Sequence, residues 1–277
     1  MARQDGSGNC LVASTRGRDG QRQFAVAQIA GRTGWKSLSA CRSRSLPLDR
    51  SLISGLALFA EMTPAEQEDI LAKARSSRHP KDAVIFAQEE EAHSFFVLLA
   101  GHIRVVKTTP DGEQVIARYI NEGELFGIAP AIGRTTYPAS AIAAVDCVAL
   151  AWPTRLWSDF ASSYPSLTSN TYATVGRRLQ ETQQRVVEMS TEQVEQRVAH
   201  TILRLIKQAG RKTPEGIEID FPITRQDIAE MTGTTLHTVS RLMSAWEDEG
   251  IVVGGRQKVT VSDPHRLMLI AEHRRKR

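Results

Sequence analysis

Beyond residue 50 the apolar positions of this chain pass through three different rhythms. In the first, Leu56, Leu58 and Phe59 lead into Thr63-Pro64-Ala65-Glu66. A threonine able to cap, a proline at the first helical position and an acid in the first turn predict a helix starting there and running to about Ser76. After His79-Pro80 the pattern predicts short strands over residues 83–88, 94–99, 102–108, 114–120, 139–145 and 148–152. Turn signals separate them: Pro110-Asp111-Gly112, with Gly101, Gly123 and Gly127 at corners. Many short strands joined by regular turns predict a β-sandwich or jelly-roll barrel.

Around Ser163 the period becomes helical. Tyr172, Val175, Leu179, Thr182, Val186 and Met189 are spaced three and four residues apart in alternation. This is an a/d seam of the kind that pairs two helices, here as a two-fold homodimer; a helix packed on its own domain is the alternative. From Thr191 the order becomes helix, helix, turn, helix, hairpin. Val194, Val198, Ile202, Leu205 and Ile206 make one apolar helix face, and Thr224-Arg225-Gln226-Asp227 is a capping-box-like start for the next helix. Gly233 falls in the turn, Thr234 or Thr235 caps a helix through Glu249, and Gly250 ends it. Residues 251–253 and 258–261 flank Gly254-Gly255 as a hairpin, which completes a winged helix-turn-helix. The fold class expected is therefore α+β. A jelly roll (double-stranded β-helix) over 51–162 is followed by a dimerisation helix over 163–191 and a winged helix over 192–277.

The second helix of that motif has two faces. Leu236, Val239, Met243 and Trp246 are expected to be buried, whereas His237, Ser240, Arg241 and Ser244 point outward together. Arginine can grip guanine O6 and N7 with two hydrogen bonds, serine can serve either kind of base edge, and histidine can donate or accept. Such a face suits a major groove; an ordinary solvated face would favour Lys and Glu. Thr224, Arg225 and Gln226 open the first helix of the motif, where free N–H groups and polar side chains hold phosphate. Arg256 and Lys258 in the wing are further phosphate candidates. The basic residues at 273–277 are either the same or merely a charged end.

Charge changes this picture less than its total suggests. The 277 residues carry 35 Lys+Arg against 31 Asp+Glu, a net of +4. Residues 1–50 alone hold nine basic and three acidic side chains, leaving 51–277 at −2. That Arg- and Ser-rich stretch has no sustained apolar period and is expected to be a disordered tail, with a targeting signal or a later true start as alternatives. Residues 190–277 are only +2, so DNA affinity has to come from local placement rather than bulk charge. No run of about 18 apolar residues occurs, which excludes a transmembrane helix of ordinary length. Three widely spaced cysteines (Cys10, Cys41, Cys147) argue against a disulfide scaffold and fit a reducing cytoplasm.

Several local motifs together resemble the Crp/Fnr family of dimeric bacterial regulators, that of the cyclic AMP receptor protein and the fumarate–nitrate regulator. They are Asn121-Glu122-Gly123-Glu124-Leu125-Phe126-Gly127, Arg177-Arg178-Leu179-Gln180, Ile223-Thr224-Arg225-Gln226-Asp227-Ile228 and Thr238-Val239-Ser240-Arg241. The resemblance spans about residues 55–265. It implies a sensory jelly roll, a dimerising helix, a winged helix on a two-fold-related duplex site, RNA polymerase as a partner, and guanine readout by Arg241. Where many relatives have Glu, which would accept from cytosine, this chain has His237, which need not, so the resemblance does not fix the outer bases of the half-site.

The resemblance also bears on the signal. Cyclic AMP-binding members use a Gly-Glu pair and an Arg-Ser pair; the corresponding positions here are Gly127-Ile128 and Ala139-Ser140. Both charged groups are missing, and only Ser140 and Thr182 remain as polar pocket candidates. Burying a phosphate without a counter-charge is costly, so an effector other than cyclic AMP is expected. The cysteine spacing does not fit an iron–sulfur sensor. Haem or nitric-oxide sensing stays open through His79, His93 or His102, as does a regulator with no ligand. The competing class, a metal-dependent jelly-roll enzyme, would need a His-x-His set that the sequence does not contain, so no catalytic residue and no metal site are assigned.

Overall fold

The computed structural model describes residues 14–16, 22–24 and 48–272. From the N-terminal segment it describes two short strands, β1 (Ser14–Arg16) and β2 (Arg22–Phe24), paired antiparallel with Ser14 opposite Phe24. Most of the expected tail lies outside the described residues, as do residues 273–277 of the basic end.

The chain from Pro47 onward forms a second compact unit, in which helix α1 (Pro64–Ala72) opens on the expected cap. The Thr63 hydroxyl accepts from the Glu66 N–H, and the Glu66 carboxylate accepts from the Thr63 N–H at 2.7 Å. The helix ends at Ala72, short of the predicted Ser76, and Arg75–His79 form strand β3 instead. Pairing explains the difference: β3 runs antiparallel to β10 (Cys147–Pro153), with Cys147 opposite His79, so its backbone groups find partners at a sheet edge. The remaining strands are β4 (Val84–Phe86), β5 (Ser94–Ala100), β6 (Ile103–Thr108), β7 (Gln114–Ile120), β8 (Leu125–Phe126) and β9 (Ser140–Ala143). β4 and β9 are shorter than predicted. β8, expected as a corner, pairs with β5.

Two four-stranded antiparallel sheets result, ordered β3-β10-β5-β8 and β4-β9-β6-β7. Their side chains alternate between three apolar layers. Phe86, Phe96, Leu98, Phe126 and Tyr137 fill the space between the sheets, with the Phe86 and Tyr137 rings stacked at 3.8 Å. Phe95, Val97, Leu150 and Trp152 point out of the first sheet, against α1, helix α2 (Trp157–Ser163) and the start of helix α3 (Pro165–Thr191). The Trp152 indole N–H donates to the Ile70 carbonyl at 2.9 Å, fastening that layer. α2 and α3 are separate helices because Tyr164, held outside the helical region at φ −126° and ψ 82° ahead of Pro165, breaks the helical path.

The outer face of the second sheet carries the C-terminal domain. A bulge at Ala117, between the Val105–Arg118 and Val106–Ile116 pairs, reverses side-chain parity on β7. Ile116 and Tyr119 therefore both face outward, into the core formed by helix α4 (Val194–Ala209), Phe221 and the two helices that follow. That domain contains α5 (Arg225–Thr232), α6 (Leu236–Asp248) and the wing strands β13 (Val252–Gly255) and β14 (Lys258–Val261). Three elements beyond the prediction complete it: β11 (Gly210–Thr213) and β12 (Gly216–Ile219), which extend the wing sheet, and α7 (Pro264–Ala271), which packs against α4. Among the described residues no helix is long and apolar enough to cross a membrane.

Candidate nucleic-acid interface

The helix-turn-helix is built from two caps and one glycine. Thr224 starts α5: its hydroxyl accepts from the Asp227 N–H at 3.0 Å, and the Asp227 carboxylate accepts from the Thr224 N–H at 2.7 Å. Gly233 ends α5 at φ +61°, a left-handed conformation that a side chain would strain. Thr235 caps α6, accepting from the Thr238 N–H at 3.2 Å.

α6 is then fixed by its inner face. Val239, Met243 and Trp246 are fully buried, as the period predicts. Leu236 is not: it is 46% exposed, because the first turn of α6 projects past the core. On the opposite face His237, Arg241 and Ser244 are exposed and Ser240 is half-buried. Among the described residues neither His237 nor Arg241 has an ion-pair partner, and both are exposed to solvent.

The expected phosphate contacts are placed less uniformly. Arg256 and Gln226 are exposed, with the Gln226 amide donating to Glu230 at 2.9 Å. The Thr224 hydroxyl is occupied within its capping box. Lys258 stands 3.5 Å from Glu218. Arg225 turns back over α6, donating to Glu247 Oε1 at 2.8 Å, with its second terminal nitrogen 3.5 Å from both the Ser240 carbonyl and Ser244 Oγ. Glu247 did not figure in the sequence reading. Its spacing from Ser240 and Ser244, one helical turn at a time, was the available signal.

α5 also rests on the barrel. Arg104, on β6, reaches Asp82 at 3.1 Å and Asp227 at 3.4 Å, while the Tyr119 and Phe221 rings lie 4.4 Å apart. A polar cleft of about 90 Å³ at this seam is lined by Lys81, Asp82, Arg104, Thr224, Asp227 and Gln257. Asp82 and Gln257 both hold left-handed backbone there, at φ +64° and +60°.

The proposed effector positions are not gathered into one open cavity. Gly127 backs onto Phe96 in the aromatic layer, whereas Ile128 packs on the opposite side, in the layer outside the first sheet. Ala139 is half-buried, and the Ser140 hydroxyl accepts from the Gln88 N–H at 2.9 Å. Thr182 is exposed on α3 and donates to the Arg178 carbonyl at 2.9 Å. A link that the sequence reading missed joins α3 to the barrel. Arg178 donates to the Leu125 carbonyl and to Glu124, which also pairs with Arg118. Burial pushes the Arg178 guanidinium down to about 10.

Of the haem-ligand candidates, His93 is exposed beside Glu91, and His79 contacts Ser77 Oγ at 2.9 Å. His102 is wedged between Asn121 and Phe221, and burial lowers its pKa. Among the described residues no group of three or more His, Cys, Asp or Glu side chains could hold a metal ion.

The α3 seam is divided. Tyr172, Leu179, Val186 and Met189 are each more than half exposed, Thr182 is exposed, and Val175 packs instead on the layer beneath α2.

Residues 77–164 match the model of the cyclic nucleotide-binding domain, and residues 196–270 match that of the Crp-like helix-turn-helix domain. The transcriptional activatory protein AadR of Rhodopseudomonas palustris is 29% identical over 222 residues, covering 79% of this chain and 90% of its own. The cyclic AMP receptor protein of Thermus thermophilus is 28% identical, covering 79% and 98%. The structure of FixK2 from Bradyrhizobium japonicum superposes with a TM-score of 0.63 at 21% identity, covering 71% of this chain and 96% of that one, which shows a shared fold. With a cyclic nucleotide-binding-type barrel followed by a Crp-like helix-turn-helix, and with these relatives, the chain belongs to the Crp/Fnr family of bacterial transcription regulators.

Proposed function

We propose that two copies of this chain pair through α3 and bind a two-fold-related duplex site, His237, Ser240, Arg241 and Ser244 of each copy entering a major groove. The observation that carries this reading is the division of α6. Its inner face is locked by Val239, Met243 and Trp246, and its outer face offers an exposed Arg241. A helix so fixed presents those side chains with little orientational freedom, which base readout requires. Exposed Gln226 and Arg256 and the N-terminus of α5 supply phosphate contacts that set register.

Pairing is supported by the four apolar side chains of α3 left more than half exposed on the seam. We assign residues 51–162 to the sensory barrel, 163–191 to the dimer helix and 192–277 to the DNA-binding domain. Acting on bacterial promoters implies a cytoplasmic protein that works with RNA polymerase.

The relative from Thermus is named for cyclic AMP, but here uncharged Ile128 and Ala139 stand at the paired positions, and aromatic rings pack the barrel interior. This supports an effector other than cyclic AMP, haem with nitric oxide being one, or none. Selection of bound duplexes from a random-sequence pool tests the proposal. It predicts a two-fold-related consensus with half-sites about one DNA turn apart, bound by two protomers; enrichment of no sequence would refute it.

A further inference from the structure

Arg225 occupies the first position of α5, where the motif leads one to expect a phosphate contact. Its guanidinium is otherwise engaged. One terminal nitrogen donates to Glu247 Oε1 at 2.8 Å, and the other faces the Ser240 carbonyl and Ser244 Oγ on the reading helix. The two side chains are 36% and 29% exposed, so the pair is partly shielded from water.

The wing closes the remaining side. A Cβ placed on Gly254 of β13 would overlap the Glu247 carboxylate and stand 3.6 Å from Arg225 Nη2. One ion pair therefore touches α5, two turns of α6 and the wing. Gly254 has no need of left-handed backbone; its missing side chain leaves the room that Glu247 occupies.

We infer that Arg225 and Glu247 form a neutral bracket that sets the wing and the reading face of α6 relative to α5, making Glu247 a specificity-determining positioning residue. This rests on the DNA-reading assignment above. Two physical consequences follow from the pairing. A cation already matched by a carboxylate releases few counterions when DNA arrives, so Arg225 adds little to the salt dependence of binding. A phosphate oxygen would compete with Glu247 for Arg225, and displacing the carboxylate would leave it facing the DNA backbone.

The test measures binding of the full chain to two labelled duplexes, one selected by the wild type from a random pool and one scrambled, over about 50–200 mM salt. Arg225→Ala is expected to reduce discrimination between the duplexes while leaving the salt slope unchanged. Glu247→Gln frees Arg225 for phosphate. The slope should steepen by about 0.9 per protomer, the scrambled duplex should bind more tightly, and discrimination should fall.

Gly254→Ala displaces the carboxylate without altering any charge and should reproduce the Glu247→Gln behaviour. Glu247→Asp, which can still pair, should restore part of the wild-type slope and discrimination. All four substitutions lie at partly exposed positions, and a thermal melt of each checks the fold.

If Arg225→Ala makes the slope shallower by about 0.9 per protomer, Arg225 is an ordinary phosphate contact and the bracket is overturned. Unchanged slope and discrimination in Glu247→Gln and Gly254→Ala overturn it as well. A wild type that binds both duplexes equally instead overturns the DNA-reading assignment, and the bracket with it.

Discussion

Arg104 is the charged link between the barrel and the first helix of the DNA-binding motif, and its removal has a calculable cost. Its guanidinium lies 3.4 Å from Asp227, with side-chain exposures of 27% and 9%. At an effective dielectric of about 20, two unit charges at that distance attract with about 5 kcal/mol. Desolvation of both groups offsets much of this, and Asp227 keeps its two bonds from Thr224. The net loss expected for Arg104→Met is therefore about 1–3 kcal/mol of unfolding free energy, above the usual range for a surface pair. A double-mutant cycle with Asp227→Asn, read by urea denaturation, isolates the coupling from the loss of the capping box. Coupling of about 1–2 kcal/mol supports the assignment. Coupling below about 0.5 kcal/mol would mean that water screens the pair and that apolar packing alone docks the domain.

Other expectations follow from the same structure. Val186→Asp, on the exposed side of α3, should yield monomers by sedimentation that keep the native circular dichroism spectrum, since Val186 belongs to no core layer of the single chain, with a melting temperature lowered by the lost association; a dimeric variant would refute the seam. Tyr119→Phe should stabilise the protein by about 1 kcal/mol in denaturant, because the Tyr119 hydroxyl is buried without a hydrogen-bond partner among the described residues. A loss of stability would mean that the hydroxyl is bonded in solution. Burial holds the folded-state pKa of His102 below its ordinary value of 6.5, so the unfolded chain binds this proton more readily. Stability tied to His102 is thus fully present above about pH 6.5 and falls as the pH drops through that value. His102→Gln should flatten that part of the profile, and an unaltered profile would exclude His102 as its source.

What could be read from the sequence divides along the range of the interaction. Thr63 with Glu66 and Thr224 with Asp227 were legible because a capping box closes within three residues. Ser94–Ala100 was legible for another local reason, a short unbroken apolar run bounded by turn signals, which the structure buries on both faces. Arg75–His79 was not, because a polar edge strand has no apolar alternation and exists only through pairing with β10. Leu236 kept the period of a buried face yet lies where α6 has outrun its core. Ile116 and Tyr119, three apart, read as opposite-facing until the bulge at Ala117 brings them to one side. In the barrel, Gly127 and Ile128 were adjacent pocket candidates by family resemblance, but neighbouring residues near a strand turn to different layers. The reading face was legible as a helical stripe; the pairing of Arg225 with Glu247 needed the wing in place.

The central claim is that α6 reads bases through Arg241, and a base-resolved binding profile of the wild type and Arg241→Ala tests it most directly. On a duplex selected by the wild type, every single-base variant is titrated at fixed salt against both proteins. The account predicts that Arg241→Ala loses about 1–3 kcal/mol of preference for guanine at one position in each half-site and keeps its preferences elsewhere. A uniform loss of affinity across all variants, with the base preferences intact, would make Arg241 a backbone contact and contradict the account.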